Sequence, residues 1–214
     1  YDKIPYSELP KLEVVKSITP KNIYLGEKIR DILSVFGFDE ILSWPLTRKG
    51  DNAKVNYLDW DIVSTQNSVN EDYTDLRQSI AVGLMIQLQE YLKKNVENIK
   101  IFEIGKVFGK RKNNYEEYEA LGILIHTPSK EKSLPAMRET IEKLLRTIGF
   151  SDIAYVESKR KPQIVNPYSC WDIIIRKKII GILYKLEFQK LNQNTYFVEL
   201  NIDNIVKLLE GFHI

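Results

Sequence analysis

Between residues 99 and 200 the strand-forming stretches of this chain arrive in consecutive pairs, and that arrangement limits the folds open to it. Residues 99–108, rich in Ile, Val and Phe, are followed across the hydrophilic stretch 109–117 by the apolar run 120–125. Residues 171–175 and 179–186 flank a short basic turn at 176–178. Strands joined so briefly run antiparallel, because a parallel neighbour needs a crossover of about a dozen residues or more. Residues 153–156 and 196–200 read as further strands. Other segments carry helical spacing instead. Ile29, Ile32, Leu33 and Phe36 recur along 25–37, which Gly37 is placed to stop. Ile80, Leu84, Leu88 and Leu92 form one stripe along 76–92, and Met137, Ile141, Leu144, Leu145 and Ile148 line 134–149, closed by Gly149. A short helix over 202–209, capped by Asn201 or Asp203, follows the last strand. The pattern predicts an α+β domain, a mainly antiparallel sheet flanked by helices, with the helices packed on one face.

Pro45 lies inside an expected strand over 40–46, so that strand should be an edge, bulged, or turned toward a partner. Residues 61–65 read as another strand, with a polar turn at 66–71. The lead-in 1–25 is punctuated by Pro5, Pro10 and Pro20 and reads as a linker from an upstream domain, leaving 26–214 as the core domain. The start at Tyr1, without methionine, fits a piece of a longer chain.

Hydrophobic residues make up 43% and charged residues 28%, the balance of an ordinary globular domain. A net charge of +2 provides no overall basic field, so any RNA contact must come from local patches. One cysteine, Cys170, and two histidines, His126 and His213, argue against a zinc site. No apolar run approaches the roughly 18 residues of a membrane span, so a soluble, cytoplasmic protein without membrane contact is expected. Phosphate-binding glycine loops, nucleophile elbows and paired metal histidines are missing from the sequence, and no residue is assigned a catalytic or metal-binding role. His126 reads as a strand-end or partly buried histidine, Cys170 as a packed small hydrophobe, and Arg77 as half of an ion pair pinning the start of the 76–92 helix.

Several short strings stand in an order that resembles the C-terminal core of the phenylalanyl-tRNA synthetase beta chain. They are Tyr1-Asp2-Lys3-Ile4-Pro5, Gly37-Phe38-Asp39-Glu40-Ile41, and Leu76-Arg77-Gln78-Ser79-Ile80 followed by Gly83-Leu84. Phe102-Glu103-Ile104-Gly105 with Phe108, the helix from Glu139 to Gly149, and Phe197-Val198-Glu199-Leu200 complete the set. Departures are local. Asn166-Pro167-Tyr168-Ser169-Cys170 keeps only the proline of a family phrase that otherwise has His, Gly and Arg, and Asn67-Ser68 replaces an expected Asn-Pro.

The resemblance implies a class II aminoacyl-tRNA synthetase-like core that does no chemistry itself. In such a protein the catalytic alpha subunit is the partner, a heterotetramer is the assembly, and ATP and Mg are used by the partner while phenylalanine is attached to tRNA(Phe). The terminal segment, where that class carries glycine and arginine for ATP, has neither here; Glu199 and Asp203 occupy it and are expected to repel a triphosphate. By the same resemblance Ile29, Leu33, Phe36, Phe38 and Trp44 are subunit-interface candidates, although periodicity alone leaves the first four equally assignable to this chain's own core. Lys110, Arg111 and Lys112, with Lys159, Arg160 and Lys161, are candidate contacts to tRNA phosphates; solvated loop tips are the alternative. A free-standing paralogue acting as a homodimeric binding or regulatory protein is the competing reading.

Overall fold

The computed structural model of the chain describes residues 19–68, 70–128, 133–187 and 194–211. The string at 1–5, most of the expected linker and His213 lie outside the described residues. In chain order the elements are α1 (Lys21–Val35), β1 (Asp39–Glu40), β2 (Leu46–Arg48), α2 (Asp51–Val55), β3 (Tyr73–Leu76), α3 (Ala81–Lys93), β4 (Ile99–Arg111), β5 (Asn114–Thr127), α4 (Ser133–Thr147), β6 (Ile153–Glu157), β7 (Val165–Ile175), β8 (Lys178–Leu186), β9 (Asn194–Asn201) and α5 (Ile202–Glu210).

Seven strands form one sheet in the order β1-β4-β5-β9-β8-β7-β6, and β2 pairs with β3 in a separate ribbon. Only β1 runs parallel to its neighbour, β4; the other pairs of the large sheet are antiparallel. The α+β reading therefore holds, and both expected hairpins form. The β4–β5 hairpin is longer than expected: 109–117 does not loop out, because pairing continues to Arg111↔Asn114 and the chain turns at Lys112 with φ 56°.

Helices cover both faces of the sheet rather than one. On the first face Ile29 and Leu33 of α1, Met137, Ile141, Leu144 and Leu145 of α4, and Ile202, Ile205 and Leu208 of α5 pack on Phe102, Ile104, Leu121, Ile123, Val198 and Leu200. Gly37 and Gly149, with φ of 77° and 111°, end α1 and α4 in the left-handed conformation that glycine adopts without steric cost. Asn201 caps α5 as expected, its Oδ1 accepting from Asn204 N at 2.8 Å. On the second face α3 lays Ile80, Ala81, Leu84 and Leu88 over Ile101, Ala120, Leu124, Ile182, Tyr184 and Phe197.

Two local expectations change. The strand expected over 40–46 is split into β1 and β2, because Pro45 has no N–H to donate; it instead offers its carbonyl to Arg77 N at 2.8 Å. The helix expected over 76–92 begins only at Ala81, since Leu76 belongs to β3 and residues 77–80 cross the sheet as a strap held by side chains. The 61–65 stretch makes only isolated bridges, Asp61↔Lys110 and Ser64↔Asp75.

Candidate functional site

The second face carries one row of directly opposed residues across five strands: Glu103, Gly122, Glu199, Ile182 and Asp172. Two carboxylates thus stand either side of a glycine in the middle of an apolar layer, and both are fully buried. A buried carboxylate is tolerated only where hydrogen bonds replace its water. Both acids find those donors in the 77–80 strap. Arg77 Nη1 donates to Glu103 Oε1 at 2.6 Å, and Ser43 Oγ donates to Glu103 Oε2 at 2.6 Å. Ser79 Oγ at 2.7 Å and Ile80 N at 2.8 Å both donate to Glu199 Oε2. Tyr57 Oη and Tyr118 Oη donate to Glu199 Oε1 at 2.5 and 3.2 Å. Glu199 therefore caps the start of α3 from a strand 119 residues away, in place of a local N-cap side chain.

Gly122 makes this close seating possible. A Cβ there would come within 2.5 Å of Ile80 Cγ2 and 3.3 Å of Leu84 Cδ1. The centre of the sheet face is consequently filled by helix side chains. Burial raises the Glu199 carboxyl above its ordinary value, against the hydrogen bonds from Tyr57, Ser79, Ile80 and Tyr118 that lower it. The same burial, followed by the charge of Glu199, holds the Tyr57 and Tyr118 hydroxyls well above the ordinary phenol value. These phenols stay protonated and donate to the carboxylate, and their oxygens, 3.0 Å apart, bond each other.

Glu199 was expected to repel a triphosphate; it is buried in the second face, because its place on β9 puts it over the apolar layer, where its carboxylate is held by donors of this chain. Asp203 lies in the first turn of α5. Arg77 forms the expected ion pair and adds Nε→Lys106 O at 2.9 Å. His126 is buried and hydrogen-bonded to Thr195 Oγ1 at 2.8 Å, with burial lowering its pKa. Cys170 is buried too, its thiol pushed up to about 11 mainly by desolvation and further by Asp172.

The interface candidates separate into two groups. Ile29, Leu33 and Phe38 are buried in this chain's own core, and Phe36 is half-buried against it, which is the assignment that periodicity had left open. Trp44 is 72% exposed, beside Leu42 at 90%. Together with Ile41, Tyr73, Val82 and Ile86 they line a groove of about 410 Å³ between the 41–46 segment and α3. The basic candidates also divide. Lys110, Arg111 and Lys112 sit at the end of the β4–β5 hairpin, with Lys110 Nζ 5.9 Å from the ring centre of the exposed Tyr115. In the β6–β7 connection Lys159 is exposed, Arg160 pairs with Asp172 at 2.7 Å and lies over the Tyr57 ring, and Lys161 pairs with Glu157 at 2.8 Å. Among the described residues no cluster of three or more His, Cys, Asp and Glu side chains is placed to hold a metal ion, and no helix is long and apolar enough to cross a membrane.

The acid pair was missed by sequence reasoning, though a signal existed. Glu103 and Glu199 each interrupt an apolar strand, at Ile-Phe-Glu-Ile and Phe-Val-Glu-Leu, on the alternation that faces the core. A charge at such a position announces a buried, partnered acid.

This architecture, an antiparallel sheet with one parallel edge strand and helices against it, is that of a class II aminoacyl-tRNA synthetase core. The pyrrolysyl-tRNA synthetase PylSc of Desulfitobacterium hafniense superposes with a TM-score of 0.73 at 16% identity, covering 90% of this chain and 70% of that one. More specifically, the chain belongs to the family described as the phenylalanyl-tRNA synthetase beta chain CLM domain, which it matches over residues 4–202. It is 24% identical over 196 residues to the phenylalanine–tRNA ligase beta subunit of Chlamydia caviae, covering 85% of this chain and 24% of that protein. With the corresponding subunit of Fusobacterium nucleatum it shares 21% identity over 226 residues, covering 95% of this chain and 28% of that protein. The chain thus spans about a quarter of the length of the curated relatives it matches.

Proposed function

We propose that this chain is the non-catalytic core of a phenylalanine–tRNA ligase beta subunit, pairing with a catalytic alpha subunit that uses ATP and Mg to attach phenylalanine to tRNA. One observation carries the reading. The sheet face that a catalytic core would need for nucleotide is filled by Ile80 and Leu84 seated over Gly122, with Glu103 and Glu199 turned inward and bonded. A triphosphate brought there would have to displace α3, exposing its apolar stripe and stranding two buried acids.

The edge of the domain supports pairing. Leu42 and Trp44 expose large apolar surface on a segment next to an open groove, and a rigid aromatic anchor at little entropic cost is typical of an interface centre. Contacts to tRNA in the assembled complex fall first to Lys110, Arg111 and Lys112 at the hairpin end, since Arg160 and Lys161 already hold acidic partners.

The test is co-purification with the phenylalanyl-tRNA synthetase alpha subunit from the same source, followed by size-exclusion chromatography with light scattering. A heteromeric peak that weakens at least tenfold for Trp44→Asp (about 1.4 kcal/mol) is the expected result. If the natural full-length chain runs alone as a homodimer and ignores the alpha subunit, the reading fails and the paralogue takes its place.

A further inference from the structure

We propose that the buried Arg77–Glu103 pair acts through Ser43 as a positioning device that fixes Leu42 and Trp44 in the orientation the alpha subunit meets. This rests on the pairing reading and names the residues that set its strength. The segment that carries the two exposed side chains is tied at its ends by Ile41 N→Phe102 O and by Arg77 N→Pro45 O, both at 2.8 Å. Between these ties the side chains alternate: Ile41 and Ser43 are half-buried, while Leu42 and Trp44 point outward. Ser43 is therefore the inward-facing residue flanked on both sides by the partner-facing ones.

Its hydroxyl is held by two ionised groups, donating to Glu103 Oε2 at 2.6 Å and accepting from Arg77 Nη1 at 2.9 Å. Such charge-assisted bonds are about twice as strong as neutral ones. The pair itself is anchored on the sheet, with Arg77 Nε bonded to Lys106 O at 2.9 Å and both side chains buried. α3 closes the remaining side: a Cβ at position 83 would fall 2.0 Å from Ser43 Oγ, so Gly83 leaves the space the serine occupies. A buried ion pair is weak evidence for stability, and its better-attested use is to specify one arrangement. Here the arrangement specified is that of an exposed segment. Arg77 Nη1 and Glu103 Oε1 bond each other without the hydroxyl, while Glu103 Oε2 takes its bond from it. What it adds is a fixed pose for its neighbours.

Without that tether Leu42 and Trp44 would be ordered only on binding, at a cost for each immobilised side chain that corresponds to about tenfold in affinity for the two. The natural full-length chain carrying Ser43→Ala, Trp44→Ala or both is titrated with the alpha subunit by calorimetry, and melting is measured alongside. Ser43→Ala should weaken binding about tenfold and lower the melting temperature through the bond lost from Glu103 Oε2; the binding loss should shrink below about threefold in the Trp44→Ala background, because both act through one contact, whereas the melting loss should not. Gly83→Ala, which displaces the hydroxyl without removing it, should reproduce the loss. Full affinity in Ser43→Ala, or an equal loss in both backgrounds, overturns the positioning role while leaving the pairing reading intact. A wild-type chain that does not bind the alpha subunit overturns both.

Discussion

Replacing Glu199 with alanine removes the acceptor that four donors share inside the second face. Tyr57 and Tyr118 can still bond each other, their oxygens being 3.0 Å apart, so one phenol keeps a partner. Ile80 N, Ser79 Oγ and the second phenol are left without the acceptor. Three stranded buried donors at about 1–3 kcal/mol each, plus about 0.8 kcal/mol for the lost methylene, give roughly 4–10 kcal/mol. For a chain of this size that lowers the melting temperature by at least about 8 °C. Glu199→Gln should cost only about 1 kcal/mol, because its carbonyl can keep Ser79 and Ile80 N while the tyrosine hydroxyls turn to accept from the amide. The two variants also differ in pH dependence. Burial holds the folded-state pKa of Glu199 above its ordinary 4.5, so its contribution is complete below that value and fades as pH rises through the folded value. Glutamine has no such loss, and the gap between wild type and Glu199→Gln should therefore narrow as pH rises above the ordinary carboxyl value of 4.5. Urea unfolding followed by circular dichroism across that range measures both. A glutamine variant as damaged as the alanine one, or a gap that widens with pH, would refute the account of this acid as a buried acceptor pushed toward its neutral form.

Arg77→Met alone should destabilise by about 3–5 kcal/mol by leaving Glu103 buried without its cation, while Arg77→Met with Glu103→Leu should recover most of that loss. Thermal melts of the two single variants and the double one check this; additive losses would contradict it. Cys170 should resist alkylation in the native state, since it is buried with its thiol pushed up to about 11, and should label only as the chain unfolds in denaturant. Native labelling by a thiol reagent at neutral pH would show that this part of β7 opens locally.

Fold class was legible in the strands because hairpin spacing and period-2 alternation are local properties, and α1, α4 and α5 were legible because each buries one stripe against one face. The start of α3 was not. Its hydrophobic stripe runs on through Ile80, but what ends the preceding extended chain is a pair of acids on β4 and β9, and no local pattern encodes partners that distant. The two faces were confused for a related reason: a helix that covers a sheet from above and one that covers it from below have the same periodicity. Ile29 and Leu33 could not be divided between core and interface on sequence, because both environments want the same side chains. Trp44 could be singled out since an aromatic residue beside Pro45 on an edge has little core to enter, and it is indeed exposed. The acids of the second face were visible as charges inside apolar strands, yet nothing in sequence said which donors would reach them.

The sheet order places β9, the last strand, between β5 and β8. During synthesis the chain emerges from its N-terminal end, so β1, β4 and β5 can assemble as one half and β8, β7 and β6 as the other, with a gap where the final strand belongs. Each half then exposes an unpaired central edge, and α3 has no acid to hold its first turn until Glu199 appears. Closure depends on contacts of high sequence separation, which fold slowly and leave edges open to misassembly while they wait. In this chain the seven-stranded sheet can therefore close only once β9 has emerged, and a stop codon shortly before residue 194 would remove the strand that joins the two halves.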